Sequence, residues 1–252
     1  SKNRNLHAAA ALAARYNIDG GFIKAWNEKP FGGLAIIDCM MNLPLLYWAS
    51  EQIDDTRFKK IAVRYADMAM RDHVRPDGSI NHIVPHDLET GEMIGSFGGQ
   101  GYADGSCWSR GQAWAVYGFA LSYIHTKEQR YLDTAIKVTD KFIEEAEKFG
   151  WKIPCDFKQK SNCTYLDNSA SLCATCGMIE LYKITNEDKY LQSAMKLLYN
   201  LEDDLDFSEE NQSIVQNCME AYYSGVQLDL IYADFFLTEA ILKLRGSEFL
   251  IW

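Results

Sequence analysis

Three times in this chain a helix ending on aromatic and aliphatic residues runs through a short polar turn into a second helix. Each second helix opens on a basic residue, an aromatic and, four positions later, an alanine. Tyr47-Trp48-Ala49 leads to Arg57-Phe58-Lys59-Lys60-Ile61-Ala62; Tyr123-Ile124-His125 leads to Arg130-Tyr131-Leu132-Asp133-Thr134-Ala135; Tyr182-Lys183-Ile184 leads to Lys189-Tyr190-Leu191-Gln192-Ser193-Ala194. The aromatic positions 58, 131 and 190 are spaced by 73 and 59 residues, too far apart for a compact solenoid repeat. The spacing fits helix pairs whose return connections vary in length.

Helical periodicity places helices near 5–16, 34–50, 57–73, 109–125, 130–147, 169–184, 187–202 and 229–244. Those at 34–50, 109–125 and 169–184 are apolar nearly all round, as an inner layer would be. Those at 57–73, 130–147 and 187–202 carry one Lys/Asp/Glu face, as an outer layer would. Alternating buried and half-buried helices predict an all-α, α/α toroid formed as one domain over 1–252. The long connections then gather at one rim, where loops carry function. Ser79–His86, a Thr-Gly turn and Glu92–Ile94 predict a short β-hairpin at that rim, and 150–166 an irregular arm.

With 48% apolar residues the 252-residue chain can bury a large core. A net charge of −10 argues against nucleic acid and anionic membranes as partners, though a few local cations can still bind a small anion. No leader and no run of 18 apolar residues is visible. Cytoplasmic and periplasmic bacterial locations both fit such a sequence. Cys173-x-x-Cys176 is a weak redox or metal signal, since no second such pair and no histidine lies near it; no metal and no cofactor is expected.

Residues 99–114, GQGYADGSCWSRGQAW, form a glycine-rich loop running into a strong helix. Two tryptophans, an arginine and two glutamines crowd that helix entry. Helix N-termini welcome anions, and aromatic faces beside hydrogen-bonding groups suit a sugar. The structural alternative is a loop capped by Ser109 with both tryptophans in the core. Asp38 stands in the apolar run 35–46, where desolvation would raise its pKa and keep it protonated as a general acid; the alternative is a helix cap. Asn42, one turn on, can pair with it either way. His82 in the candidate hairpin can donate to a ligand. Arg110 offers a planar fork to a carboxylate, or a structural pair to Asp104. Trp26, before Gly32-Gly33, is a candidate stacking wall. Asp167 reads as a helix cap, and Asp234 as a carboxylate in an apolar helix.

The runs Ile36-Ile37-Asp38-Cys39-Met40-Met41-Asn42-Leu43-Pro44-Leu45-Leu46 and 100–114 closely resemble the unsaturated glucuronyl hydrolases, glycoside hydrolase family 88. So do 167–171 and 232–236, and the similarity runs through the whole chain in order. The resemblance implies an (α/α)6 barrel of six helix pairs. About eight helices are visible here, and the family's opening helices, which carry a second active-site aspartate next to a histidine, have no counterpart. The chain therefore reads as the larger, C-terminal part of such an enzyme. Its exposed inner-helix faces would need cover from the missing segment or, by self-association, from a second copy.

The implied substrate is an oligosaccharide left by a polysaccharide lyase, with a C4=C5 double bond in its terminal uronic acid. The implied chemistry hydrates that bond, after which the hemiketal collapses and releases the remaining sugar, unlike the two-carboxylate template of most glycosidases. By resemblance Asp38 is catalytic, protonating C4 and assisting water at C5. Trp26, His82, Gln100, Arg110 and Trp114 match substrate-binding positions. Gly98-Gly99, Cys155 and Leu166 depart from residues common in the family, which bears on sulfation and on the sugar that follows the uronate. The competing readings are an unsaturated rhamnogalacturonyl hydrolase and an inactive, sugar-binding remnant.

Overall fold

The computed structural model describes residues 1–28, 31–247 and 252, with Phe31 described by its backbone alone. Among these residues the chain forms eight α-helices: α1 (Lys2–Ala13), α2 (Leu43–Ile53), α3 (Arg57–Met68), α4 (Ser109–Thr126), α5 (Gln129–Lys148), α6 (Asn168–Thr185), α7 (Asp188–Tyr199) and α8 (Ile231–Leu244). Three two-stranded antiparallel pairs accompany them: β1 (Tyr16–Asn17) with β2 (Phe22–Ile23), β3 (Leu34–Ile36) with β4 (Ile83–Pro85), and β5 (Cys218–Met219) with β6 (Gln227–Leu228).

The expected two layers are present. α4 and α6 are buried around nearly their whole circumference and pack directly on each other, while α3, α5 and α7 bury one face and charge the other. Gly177 permits the α4–α6 approach, because a Cβ there would lie 2.9 Å from the Tyr117 backbone. The helix pairs turn on one recurring device. Asp54, Lys127 and Asn186 each adopt a left-handed conformation at the end of an inner helix. Their N–H groups return to Ser50, Tyr123 and Tyr182, each four residues back. Thr126 and Thr185 then accept from the N–H of Glu128 and Glu187, which start the outer helices.

These hairpins put the C-terminal ends of α2, α4 and α6 at one rim. The long connections 74–108, 149–167 and 200–230 return at the other, where α4, α6 and α8 begin. Segment 150–166 is the irregular arm expected of it, tied to the rim by bridges Pro154↔Leu166 and Trp108↔Asp156.

Two expectations need correction. The helix expected over 34–50 starts only at Leu43; β3 and a 3₁₀ turn, Ile37–Asn42, precede it. Pro44 explains this, since a proline in the second helical position lacks the N–H and clashes with the carbonyl four residues back. The 79–94 hairpin is present as the isolated bridge His86↔Met93, with Ile83↔Phe97 beyond it, while the regular ladder of β4 is with β3. Ile231, at the start of α8, is 78% exposed. A cavity of about 770 Å³ is lined by Leu12, Met41, Leu45, Trp48 and Trp252 among others. Among the described residues no helix is long and apolar enough to cross a membrane.

Candidate active site

Asp38 sits in the first turn of the 3₁₀ segment and His82 immediately precedes β4. The register Ile36↔Ile83, continued by one residue, sets Ile37 across from His82 and Asp38 beside it. Ile37 N–H donates to the His82 carbonyl at 3.1 Å, and the Tyr65 hydroxyl donates to the Ile36 carbonyl at 2.5 Å. Asp38 Oδ2 lies 3.3 Å from His82 Nε2. That oxygen is buried and accepts no hydrogen bond, while the Asp38 side chain as a whole is 28% exposed. The cap alternative for Asp38 is not realised: Ile36 and Asn42 hold the N-cap positions of the 3₁₀ turn and α2. Asn42 is exposed and lines the 770 Å³ cavity rather than serving as a visible partner of Asp38.

His82 rests on Trp108, with ring centroids 4.3 Å apart, and the Arg110 guanidinium lies 4.6 Å from a Trp108 ring centroid. Arg110 also lies 5.6 Å from the Tyr232 ring, which neighbours Trp114 at 6.1 Å. Asp38, His82, Trp108, Arg110, Tyr232 and Trp114 thus form one contiguous cluster at the start of α4. Trp108 holds the N-cap position; Ser109 is no cap, and its hydroxyl donates to the Cys155 carbonyl at 3.0 Å.

The structural partner of Arg110 is Asp167, at 2.6 Å, rather than Asp104, which accepts from Gly98 N–H at 2.7 Å. Arg110 donates further to the Ser169 hydroxyl at 3.2 Å, to the Met219 carbonyl and to the Glu220 carbonyl at 2.6 Å. Burial opposes the guanidinium charge, but Asp167, Tyr232 and Asp38 more than offset it, and Arg110 is held charged above its ordinary range. Burial pushes the Asp167 carboxyl up, and Arg110 and Ser169 pull against that shift.

Gln100 meets this network at the same carbonyl, its side-chain amide donating to Glu220 O at 2.6 Å. Its backbone N–H donates to His82 Nδ1 at 3.0 Å. The glycine-rich loop is pinned from below by buried Asp156, which accepts from Tyr102 N–H (2.9 Å), the Ser106 hydroxyl (2.6 Å), Cys107 N–H (3.2 Å) and Lys158 N–H (2.8 Å). Beside the cluster, Trp26, Glu28, Leu34, Ile83 and Phe97 line a mainly apolar trough of about 560 Å³. Leu34 and Ile83 belong to β3 and β4, the strands that Asp38 follows and His82 precedes.

Asp38, His82, Arg110 and Trp114 therefore come together, Gln100 joins through His82 and Glu220, and Trp26 stands in the adjoining trough. The residues that sequence reasoning passed over as site members are Trp108, Asp156 and Asp167. Trp108 stood inside the glycine-rich motif; nothing in the sequence links Asp156 to Ser106 or Asp167 to Arg110. Asp234 is structural, accepting from Val215 N–H at 2.8 Å and the Ser213 hydroxyl at 3.0 Å. All seven cysteines are free thiols. Cys173 and Cys176 are buried and pushed well up by burial, each facing a backbone carbonyl. No group of three or more metal-ligating side chains is found among the described residues.

The chain is 32% identical over 98% of its length to an unsaturated glucuronyl hydrolase of Bacillus sp. (strain GL1), covering 69% of that protein. It is 31% identical, over its full length, to an unsaturated chondroitin disaccharide hydrolase of Streptococcus pneumoniae (strain ATCC BAA-255 / R6), covering 66% of it. The solved structure of the Bacillus sp. GL1 unsaturated glucuronyl hydrolase, described as responsible for the degradation of glycosaminoglycan, superposes with a TM-score of 0.91. It is 32% identical to this chain, with 96% of this chain and 68% of that one covered. An unsaturated glucuronyl hydrolase specific for heparin gives a TM-score of 0.89 at 29% identity, covering 97% of this chain and 69% of that one. The chain thus spans about two thirds of the length of these relatives. No family model matches it.

Proposed function

The chain belongs to the unsaturated glucuronyl hydrolases, and from that membership we propose that it removes the terminal 4,5-unsaturated uronic acid from lyase-generated, glycosaminoglycan-type oligosaccharides. The observation that carries this reading is the contact of Asp38 with His82 upon the Trp108–Arg110 plate. A proton passes from the Asp38 carboxyl to C4, leaving an oxocarbenium-like centre at C5. The carboxylate so formed faces that charge and accepts the proton of the water that adds there. The hemiketal at C5 then opens and releases the remaining sugar.

The surroundings suit a uronate. The chain carries a net charge of −10, and at this rim the Arg110 guanidinium and the N-terminal ends of α4, α6 and α8 are the groups in this reading that face a carboxylate favourably. His82, Gln100, Arg110 and Trp114 surround the reacting ring in this reading. Trp26 and the Leu34–Ile83–Phe97 trough offer an apolar wall to the following sugar.

Hydration ends the conjugation between the double bond and the carboxylate, so ultraviolet absorbance reports the reaction directly. Incubation with unsaturated chondroitin or hyaluronan disaccharides is expected to bleach that band. Asp38→Asn is expected to lower kcat by about 10²–10⁴-fold with little change in KM. Calorimetric binding without bleaching would reduce the chain to a sugar-binding module. Bleaching confined to unsaturated rhamnogalacturonan fragments would move the substrate class.

A further inference from the structure

His82 Nδ1 lies within reach of two backbone groups of opposite character. Gln100 N–H donates to it at 3.0 Å, and the Gly98 carbonyl lies 3.3 Å away. One ring nitrogen cannot accept from the first while donating to the second. The amide is an obligate donor, and the shorter contact is its own. We propose that Gln100 N–H fixes His82 as the Nε2–H tautomer, so that the imidazole edge facing Asp38 is always a donor. Gly99 is the positioning residue that makes this possible.

The backbone geometry shows why glycine stands there. Gly99 has φ +59°, in the left-handed region, and a Cβ on it would lie 2.3 Å from His82 Nδ1 and 2.8 Å from the Ile83 side chain. His82 has no room to retreat. It is 5% exposed and its other face is against Trp108. The peptide that follows the amide is itself anchored. Gln100 O accepts from Tyr222 N–H at 2.8 Å, and Gly101, one residue on, abuts Asp156. The loop therefore behaves as a mould around one edge of the imidazole.

This inference deepens the hydrolase reading and rests on it for its catalytic meaning. With Nε2 already protonated, His82 cannot withdraw a proton from Asp38. Asp38 Oδ2 lies 3.3 Å from that donor edge without hydrogen-bonding it, and it has no other hydrogen-bond partner. A small closure of this contact around substrate makes Oδ2 the accepting oxygen and leaves Oδ1 to carry the transferable proton. The acid has one productive protonation isomer instead of two, which is a form of preorganisation.

Long-range ¹H–¹⁵N correlation spectra of the uniformly labelled 252-residue chain read the tautomer of each of its five histidines without substrate. His82 is assigned by the signal lost in His82→Gln. The expected pattern is an unprotonated Nδ1 and a protonated Nε2; an Nδ1–H pattern for His82 overturns the proposal whatever the activity. Gly99→Ala is expected to convert that signature toward Nδ1–H or a mixture and to lower kcat at least tenfold, with a smaller effect on KM. An unchanged His82 signature in a folded Gly99→Ala protein removes Gly99 from the positioning role. An Nε2–H signature in a chain that never bleaches the unsaturated uronate would sink the hydrolase reading and leave the tautomer assignment standing.

Discussion

Arg110 was conspicuous in the sequence, but its partner was not. Asp104 is six residues away and Asp167 fifty-seven, and local spacing favours the near one. The fold decides for the distant one because Asp167 holds the N-cap position of α6 and Arg110 stands in the first turn of α4, its neighbour in the inner layer. The pair is almost fully buried, so removing one charge strands the other. Asp167→Asn is expected to cost about 3–5 kcal/mol of stability, read as a lowered urea midpoint. A loss below about 1 kcal/mol would mean that the carbonyls of Met219 and Glu220 suffice for the guanidinium. Asp38, by contrast, stood out in the sequence as a carboxylate inside an apolar run, which is costly unless it is partnered or used, but periodicity left the acid and the cap side by side; the structure removes the cap.

Most elements could be read from periodicity, since α3, α5 and α7 show one charged face and α4 and α6 almost none. The 34–42 segment could not be read that way. Its apolar residues serve a β-ladder and a 3₁₀ turn, and both are too short to show a period. The signal lay in Pro44 rather than in hydrophobicity. How that turn is seated gives a test at this scale. Gly118 on α4 faces Met40, and a Cβ there would lie 2.5 Å from Met40 Cβ. Gly118→Ala should therefore displace the turn that carries Asp38, at a cost of about 1–3 kcal/mol, and lower turnover as well. An unshifted melting temperature with full activity would show that the turn yields freely.

For the molecule as a whole, the two layers and the functional rim follow from the alternation of helix types. The pairing of β3 with β4 does not follow, because it joins residues about fifty positions apart. Next to this ladder lies a buried imidazole that makes the fold acid-sensitive. His73 ends the π-turn Ala69–His73 and its Nδ1 lies 2.8 Å from the Asn81 carbonyl, next to His82; burial lowers its pKa to about 4 from 6.5. The folded protein keeps this imidazole neutral where the unfolded chain takes up a proton, so the unfolded state binds more protons between these values. Stability should thus fall as pH drops from 6.5 towards 4 and level off below, by ~3 kcal/mol from this group alone. Urea midpoints across that range, with His73→Gln as the flattened control, measure it. A wild-type profile with no slope there would contradict the burial of a neutral imidazole.

The left-handed corners at Asp54, Lys127 and Asn186 have a practical side. They turn the chain on the rim opposite Asp38, His82 and Arg110. A tether, an affinity handle or a grafted peptide spliced in at these corners leaves the working mouth unobstructed.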